Sequence, residues 1–466
     1  MKTYFPNLIL ILLCILSRVI SSIYYIEDPD SLRFALSILN YDITNFQPHF
    51  PGYPVFVFLV KGLYIITGNF SIAFSIIGGF AVFLIIYFLN KLLKVPLASL
   101  EGFLVALFVF FNPMIWLMSN RYMPDLTGLA VALGAFYYLV PDHYKIMQVN
   151  KGWFLTGLLA GVRLSYAPFL IIPCLYAYFS NKKFLSPILY LCLGIIIWMV
   201  PLILFTGWND LIAAAQKQTY GHFYDFGGTI FTESDTWVRF VSLVRAIWAD
   251  ALGGYWIDRF PFTLINSIGI ILCSFFGLMI ILSFDYPKSK LYVTVGSIFL
   301  YTLWVFFFQN IIYNSRHILP LVPFFLVLIA YGVIYFLVNF NSLVTKGVIA
   351  VFMLSTIIIT LYLVGQHKKP TAIAQVKPYL ESIKNGDELH IVSIPLINYY
   401  LEGQKVKAFY YDIYTDMSKI EKINSGKIVV IGNFPNLFPG KPKNVTTFYH
   451  NPYVNRIWSS ITVYLY

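Results

Sequence analysis

Residues 27–54, EDPDSLRFALSILNYDITNFQPHFPGYP, place three carboxylates, Glu27, Asp28 and Asp30, just beyond an apolar run long enough to cross a bilayer. A charge held at a membrane face carries a desolvation penalty, so such a cluster points to chemistry. Asp28 and Asp30 stand two residues apart, which suits gripping a divalent cation or dividing a base role from a supporting one. Capping competes with both readings, because Asp30-Ser31 directly precedes LRFALSIL and fits a helix N-terminus. A further carboxylate, Asp125, lies in SNRYMPDLTGLA, where Pro124 and Asp125 would open a helix and Arg121 sits one turn earlier.

Two arginines fall near the outer ends of apolar runs, Arg163 in GLLAGVRLSYAPF and Arg316 in NSRHILPLVP. A guanidinium at that depth needs an anion, either a protein carboxylate or a ligand phosphate. Arg316 suits a phosphate, and Arg163 suits a phosphate or an internal pair. The loop TYGHFYDFGGTIFTESD carries His222, Tyr224 and Asp225 beside Gly227-Gly228, where backbone could approach a ligand closely; an interfacial lid is the alternative. His49, flanked by Gln47, Pro48, Pro51 and Gly52, is open between structure and function, whereas His317 reads as structural. There is no Walker A loop, dinucleotide fingerprint, HExxH or strand-borne GxSxG, so nucleotide-driven transport and zinc proteolysis are poorly supported.

The elements that must hold these residues are membrane helices. With 59% hydrophobic and 11% charged residues over 466 positions, the chain has more apolar surface than a soluble core could hide. The net charge of +11 falls largely in short loops, where Lys and Arg orient helices and meet anionic lipid, which argues against nucleic acid as a partner. Cys14, Cys174, Cys192 and Cys273 lie in apolar segments without metal-site spacing and read as packing residues. Residues 5–22 after Lys2 read as an uncleaved first span.

Apolar windows predict about eleven spans, near 5–22, 70–90, 98–112, 125–141, 152–164, 165–180, 185–205, 262–283, 291–309, 318–337 and 345–364. Counting the run at 50–68 as a crossing would put Lys91, Lys94, Lys145, Lys151, Lys182, Lys183, Lys288, Lys290 and Lys346 outside, against the positive-inside bias. A helix lying at the outer interface avoids this. The N-terminus is then cytoplasmic, and the outer face carries loops 23–69, 112–124 and 206–260 with everything after about 365. The short spans at 152–164 and 165–180, broken by Gly161, Arg163 and Pro168, read as half-crossings around a cavity. Beyond 366 the composition turns polar, and short β-rich runs, LHIVSI and KIVVIG, predict a small α/β domain over 367–466 after a transmembrane domain over 1–366.

At these residues the chain resembles a known family. DSLRFALSILNYDITNFQPHFPGYPVF is similar to the first outer loop of the GT-C superfamily of membrane glycosyltransferases, in its branch with an HPPGYP-like motif; here the element reads HFPGYP, with Phe50 for the first Pro. RYMPDLTGLA resembles the second acidic motif, GLLAGVRLSYAPFLIIP the Gly-rich helix with a basic residue, and SRHILPLVPFF the R-x-x-L-P-x-x-P helix start. FYHNPYVNRIWSSITVYLY resembles the ending of members with an outer C-terminal domain.

The resemblance implies a GT-C-type polytopic α-helical fold and a polyprenyl-phosphate-linked sugar as donor. It implies that Asp30 is the catalytic acidic residue with Asp28 beside it, that Asp125 holds the acceptor or a cation, and that Arg316, with Arg163, meets the donor phosphate. Arg121, His49, Tyr53 and His222 complete the expected substrate-binding set. Some branches use a divalent cation, Mg or Mn; Asp28, Asp30 and Asp125 would hold one. The expected partners are that donor, a glycan, lipid or protein acceptor and membrane lipid, in a bacterial inner membrane. The rival reading is a lipid-linked saccharide flippase or carrier without transferase activity, which needs its charges through the midplane instead of gathered at one face.

Overall fold

A computed structural model describes residues 4–141, 146–180, 185–283, 288–423, 425–432, 434 and 440–466. Lys2, Lys145, Lys182 and Lys183, which bear on the orientation of the chain, lie outside the described residues. The first helices are α1 (Tyr4–Ile20), α2 (Pro29–Leu39), α3 (Pro54–Thr67), α4 (Phe70–Leu93), α5 (Leu100–Phe110), α6 (Pro113–Asn120) and α7 (Asp125–Leu139). Then come α8 (Ile146–Arg163), α9 (Ala167–Phe179), α10 (Leu185–Thr206), α11 (Trp208–Tyr220), α12 (Thr236–Arg245), α13 (Phe262–Ser283), α14 (Lys288–Phe308), α15 (Val322–Asn339) and α16 (Leu343–His367).

Among the described residues seven helical segments are long and apolar enough to cross a membrane, or eight if α5 and α6, bent by 56° to one another, form one span. The expectation of about eleven is not confirmed by this count, for two physical reasons. The stretches expected at 152–164 and 165–180 run together as one 34-residue segment, Ile146–Phe179, interrupted only by a 3-10 turn at Leu164–Tyr166. The run at α7 holds 15 helical residues, about 22 Å at about 1.5 Å per residue against a hydrocarbon core of roughly 30 Å, and α1 is described only from Tyr4, over 17 residues. The run at 50–68 forms α3, only 14 residues long.

Helices cross closely where glycine removes a side chain. A Cβ at Gly277 of α13 would fall on the Leu328 carbonyl, and one at Gly332 of α15 on the Cys273 carbonyl. Such paired small residues let backbones approach, the usual means of helix association in lipid.

The acidic loop is built by a cap two residues earlier than expected. Asp28, with extended backbone, accepts the Ser31 N–H at 2.8 Å and starts α2, while Asp30 sits in the first turn. Pro29 decides this, since proline fits the first helical position, where its missing N–H is not needed. Downstream, Gly52 has φ of +85°, and a Cβ there would strike Tyr41 and Ile43, so HFPGYP needs its glycine.

After α16 come α17 (Ala372–Lys384), β1 (Leu389–Ser393), α18 (Pro395–Gly403), β2 (Phe409–Asp412), α19 (Met417–Ile420), β3 (Lys427–Ile431), β4 (Asn444–Tyr449) and β5 (Ser460–Leu465). The five strands form one sheet in the order β2-β1-β3-β5-β4, with β1 parallel to β2 and β3 and the β3-β5 and β4-β5 pairs antiparallel. Its core includes Ile391, Val429 and Val463, and Leu32 of α2 is buried in the same cluster. The Leu32 side chain lies over Gly403, where a Cβ would come within 2.6 Å of it. The acidic loop is therefore fixed to the C-terminal sheet as well as to the helices. Tyr25 donates to the His367 carbonyl at 2.7 Å and Thr371 to the Glu27 carbonyl at 2.8 Å, tying residues 25–27 to the start of the C-terminal region.

Candidate active site

Four segments converge on Asp30. The first turn of α2 carries Asp30 itself, α7 opens with Asp125, α8 ends with Arg163, and the 3-10 turn Ser315–Leu321 ahead of α15 carries Arg316. Arg316 Nη2 lies 2.6 Å from Asp30 Oδ2, and Arg316 Nε 3.9 Å from Asp125 Oδ1. Arg163 Nη2 reaches the same Asp125 oxygen at 3.0 Å, and Arg33 Nη1 reaches Asp30 Oδ1 at 3.1 Å. Asp125, Arg163 and Arg316 are buried, whereas the Asp30 side chain keeps 24% of its surface exposed. The buried ion pairs thus end in one accessible carboxylate.

Tyr53 and His49 form the wall beside this row. Tyr53 Oη lies 2.8 Å from His49 Nε2, and Arg163 donates weakly to Tyr53 Oη at 3.5 Å. Burial pushes the His49 imidazole down to about 3, against the pull of Asp30, so it is neutral at neutral pH. Burial works to raise the Asp30 carboxyl, but Arg316 and Arg33 outweigh it and hold it well below the usual carboxylate range. Asp28 is pushed the other way, by burial first and then by Glu27 and Asp30.

Arg316 also lines a cavity together with Arg121, Asp250, Tyr453 and Arg456. Arg456 pairs with Asp250 at 2.6 Å and donates to the carbonyls of Ile311 and Ile312 at 3.2 Å, just before Arg316 in the chain. The wall of this cavity nearest the C-terminus is the segment Pro452–Arg456.

No family model and no curated protein matches the sequence. In three dimensions the chain aligns with ArnT from Cupriavidus metallidurans bound to undecaprenyl phosphate, over 98% of this chain and 97% of that one, at 10% identity and TM-score 0.56. The apo state of that protein aligns over the same shares at 11% identity and TM-score 0.54. The overall fold is that of the ArnT structure. An oligosaccharyltransferase from Archaeoglobus fulgidus, in complex with zinc and sulfate, aligns over 91% of this chain and 67% of that one, at 10% identity and TM-score 0.48.

Within this fold the expected site residues separate into groups. Asp30, Asp125, Arg163, Arg316, His49 and Tyr53 lie together. Asp28 faces away from them in its bonds: one oxygen caps α2 and the other accepts from Asn455 Nδ2 at 3.1 Å. Arg121 does not pair with Asp125, one turn on; it lies 3.2 Å from Glu27 and also donates to the Val454 carbonyl. The His222 ring bonds the Phe308 carbonyl at 2.8 Å, in a π-helical turn over Gly221–Asp225.

The three carboxylates proposed for a cation do not fit one. Asp30 and Asp125 are bound to guanidinium groups, Asp28 to N–H donors, and no group of three or more His, Cys, Asp or Glu that could hold a metal occurs among the described residues. No catalytic step is assigned to a metal.

Sequence reasoning missed Arg33, Asp250, His367 and Arg456. Arg33 had a local signal, standing three residues after Asp30 on a helix. The other three had none, because each owes its place to a partner distant in the chain: His367 reaches Glu27 at 2.9 Å, and Arg456 reaches Asp250.

Proposed function

We propose that this chain is a glycosyltransferase that moves a sugar from a polyprenyl-phosphate donor to a hydroxyl acceptor on the extracytoplasmic face of a bacterial inner membrane. The observation that carries the reading is the position of Arg316: it touches the accessible carboxylate Asp30, approaches the buried Asp125, and lines the neighbouring cavity. Three guanidinium groups, Arg33, Arg163 and Arg316, face two carboxylates, Asp30 and Asp125, which leaves one net positive charge for an incoming phosphate. The bound undecaprenyl phosphate of the ArnT structure supports a polyprenyl phosphate as the lipid partner. Sidedness rests on the cytoplasmic bias of the loop lysines.

In this mechanism the acceptor hydroxyl donates a hydrogen bond to Asp30, which orients its oxygen towards the anomeric carbon of the donor. The bond between that carbon and the phosphate oxygen breaks, the acceptor oxygen forms the new glycosidic bond, and the electron pair leaves with the phosphate. Arg316 stabilises the charge developing on the departing phosphate oxygen, backed by Asp125 and Arg163. Because its pairs keep Asp30 a weak base, it takes the proton late, once bond formation has made the acceptor oxygen strongly acidic. His49, neutral, and Tyr53 shape the wall.

The reading is tested by mass spectrometry of host glycans and glycolipids with the wild-type chain and with Asp30→Asn at equal membrane abundance. It predicts loss of one sugar with accumulation of its lipid-linked donor in the variant. Unchanged glycans would remove Asp30 from the reaction and favour a carrier.

A further inference from the structure

A second cavity, of about 230 Å³, lies next to the first and shares Tyr453 as a wall. It is bounded by Asp258 and Arg259, by Thr263 of α13, by Ile359 and Leu363 of α16, and by Tyr453. Arg259 is buried, with only 8% of its surface exposed. Its Nη1 donates to the carbonyls of Ala249 and Gly254, and among the described residues its Nη2 has no hydrogen-bond partner and no carboxylate forms an ion pair with it. Its guanidinium stacks on Tyr453, 4.2 Å from the ring centroid, and Arg245 approaches that ring at 5.4 Å. Asp250, whose charge acts on Arg259, is already committed to Arg456 at 2.6 Å.

A buried guanidinium without an anion is expensive, and the penalty is relieved when a ligand brings the charge. Around the cavity, α13 and α16 turn large apolar side chains outward, Phe262 at 41% exposure, Leu264 at 51% and Leu361 at 49%, as helices do towards acyl chains. A ligand reaching Arg259 along these helices would carry its anion on an apolar tail.

We propose that this cavity is a second anion site, separate from the Asp30 cluster, which binds a phosphate group through Arg259, with an outer-leaflet lipid headgroup as the source. The Arg259 guanidinium at the cavity wall meets a phosphate oxygen, and Thr263 and Leu363 bound the space beside it. Since Tyr453 walls both cavities, the bound headgroup presses on the segment Asn451–Arg456 that borders Arg316. The proposal does not rest on transferase activity, and its test reads binding alone.

Full-length protein in neutral detergent is titrated with dioleoylphosphatidylglycerol, with dioleoylglycerol, which lacks the phosphate, and with inorganic phosphate, following thermal stability and lipid retention in native mass spectrometry. Phosphatidylglycerol is expected to raise Tm and remain bound, and dioleoylglycerol to do neither. Arg259→Met should weaken the anion at least about tenfold. Asp258 is exposed with φ of +61°, a conformation asparagine tolerates, so Asp258→Asn should fold and, by removing a like charge from the wall, tighten binding about twofold. Saturation by inorganic phosphate as strong as by the lipid would keep the anion site and assign it a soluble source. Equal binding of phosphatidylglycerol and dioleoylglycerol, or an anion affinity that neither substitution alters, would overturn the proposal. Should Arg259→Met fail to fold, Asp258→Asn decides alone, and unchanged affinity there would overturn it.

Discussion

Asp125 depends on Arg163 more than on any other residue. The carboxylate is fully buried, with Arg163 at 3.0 Å and Arg316 only at 3.9 Å. Arg163→Met would leave it without a close counter-charge, and breaking a buried pair from one side costs about 3–5 kcal/mol. A large fall in Tm is therefore expected for Arg163→Met in detergent, and a smaller one for Arg163→Lys. Arg316→Lys should behave differently. It keeps a charge beside the more exposed Asp30 but loses the fork that reaches two acids, so turnover should fall while Tm changes little; a Tm loss matching that of Arg163→Met would contradict this division of roles. The pH response follows from two directions. Asp30 is held below the usual carboxylate range and is ionised at neutral pH, and His49 at about 3 is neutral there. Neither changes charge between about pH 6 and 8, so the rate should be flat over that range and fall only in acid as Asp30 protonates. An inflection near 6.5 that disappears in His49→Gln would show that the imidazole does titrate. Asp30, Asp125, Arg163 and Arg316 stood out in the sequence because charges in apolar surroundings are expensive. Their pairing was not legible: it takes residue 30 to residue 316, through folding that no local pattern records.

At the scale of elements, the apolar windows located the helices but not their lengths. Composition marks where a segment is apolar, while a span also needs uninterrupted helix, and α7 begins only at Asp125 after the break at Arg121–Pro124. The cap of α2 lies two residues before the expected one because Asp28-Pro29 and Asp30-Ser31 both carry capping signals, and only the fit of proline to the first helical position separates them. Asp28→Ala should thus lower stability by more than the about 1 kcal/mol of an ordinary cap, because the contact with Asn455 is lost with it. Gly277 and Gly332 mark where α13 and α15 touch. With backbone carbonyls directly opposite, Gly277→Val cannot be absorbed by a side-chain rotation. The expected outcome is failure of the variant to yield folded protein, whereas Gly347→Val, where a Cβ meets nothing within 4 Å, should purify normally; equal yields would refute this crossing.

In the whole molecule, Glu27 joins the membrane helices to the C-terminal region. It is buried between Arg121 at 3.2 Å and His367 at 2.9 Å, and Arg121 also bonds the Val454 carbonyl. Burial tends to raise this carboxyl, yet Arg121 and His367 prevail and bring it from an ordinary 4.5 down to about 2. With the folded value below the unfolded one, the unfolded chain takes up protons first as pH falls. The stabilisation is complete above about pH 4.5 and is lost as pH drops towards 2. Glu27→Gln should lower Tm at neutral pH and flatten its dependence on pH across that window; an unchanged acid slope would assign it to other groups. The sequence showed that the C-terminal region was polar and β-rich. That its segment Pro452–Arg456 walls the cavity beside Arg316 required the fold.

In the proposed reaction Asp30 and Arg316 act together to move a sugar from a polyprenyl phosphate. The most direct measurement is release of free polyprenyl phosphate by purified protein in liposomes, supplied with the lipid-linked sugar and acceptor that the glycan comparison identifies. Wild-type protein should release polyprenyl phosphate and glycosylated acceptor in equal amounts, and Asp30→Asn, at unchanged Tm, should release neither. Full activity in Asp30→Asn, or movement of intact lipid-linked sugar across the bilayer without release, would contradict the account.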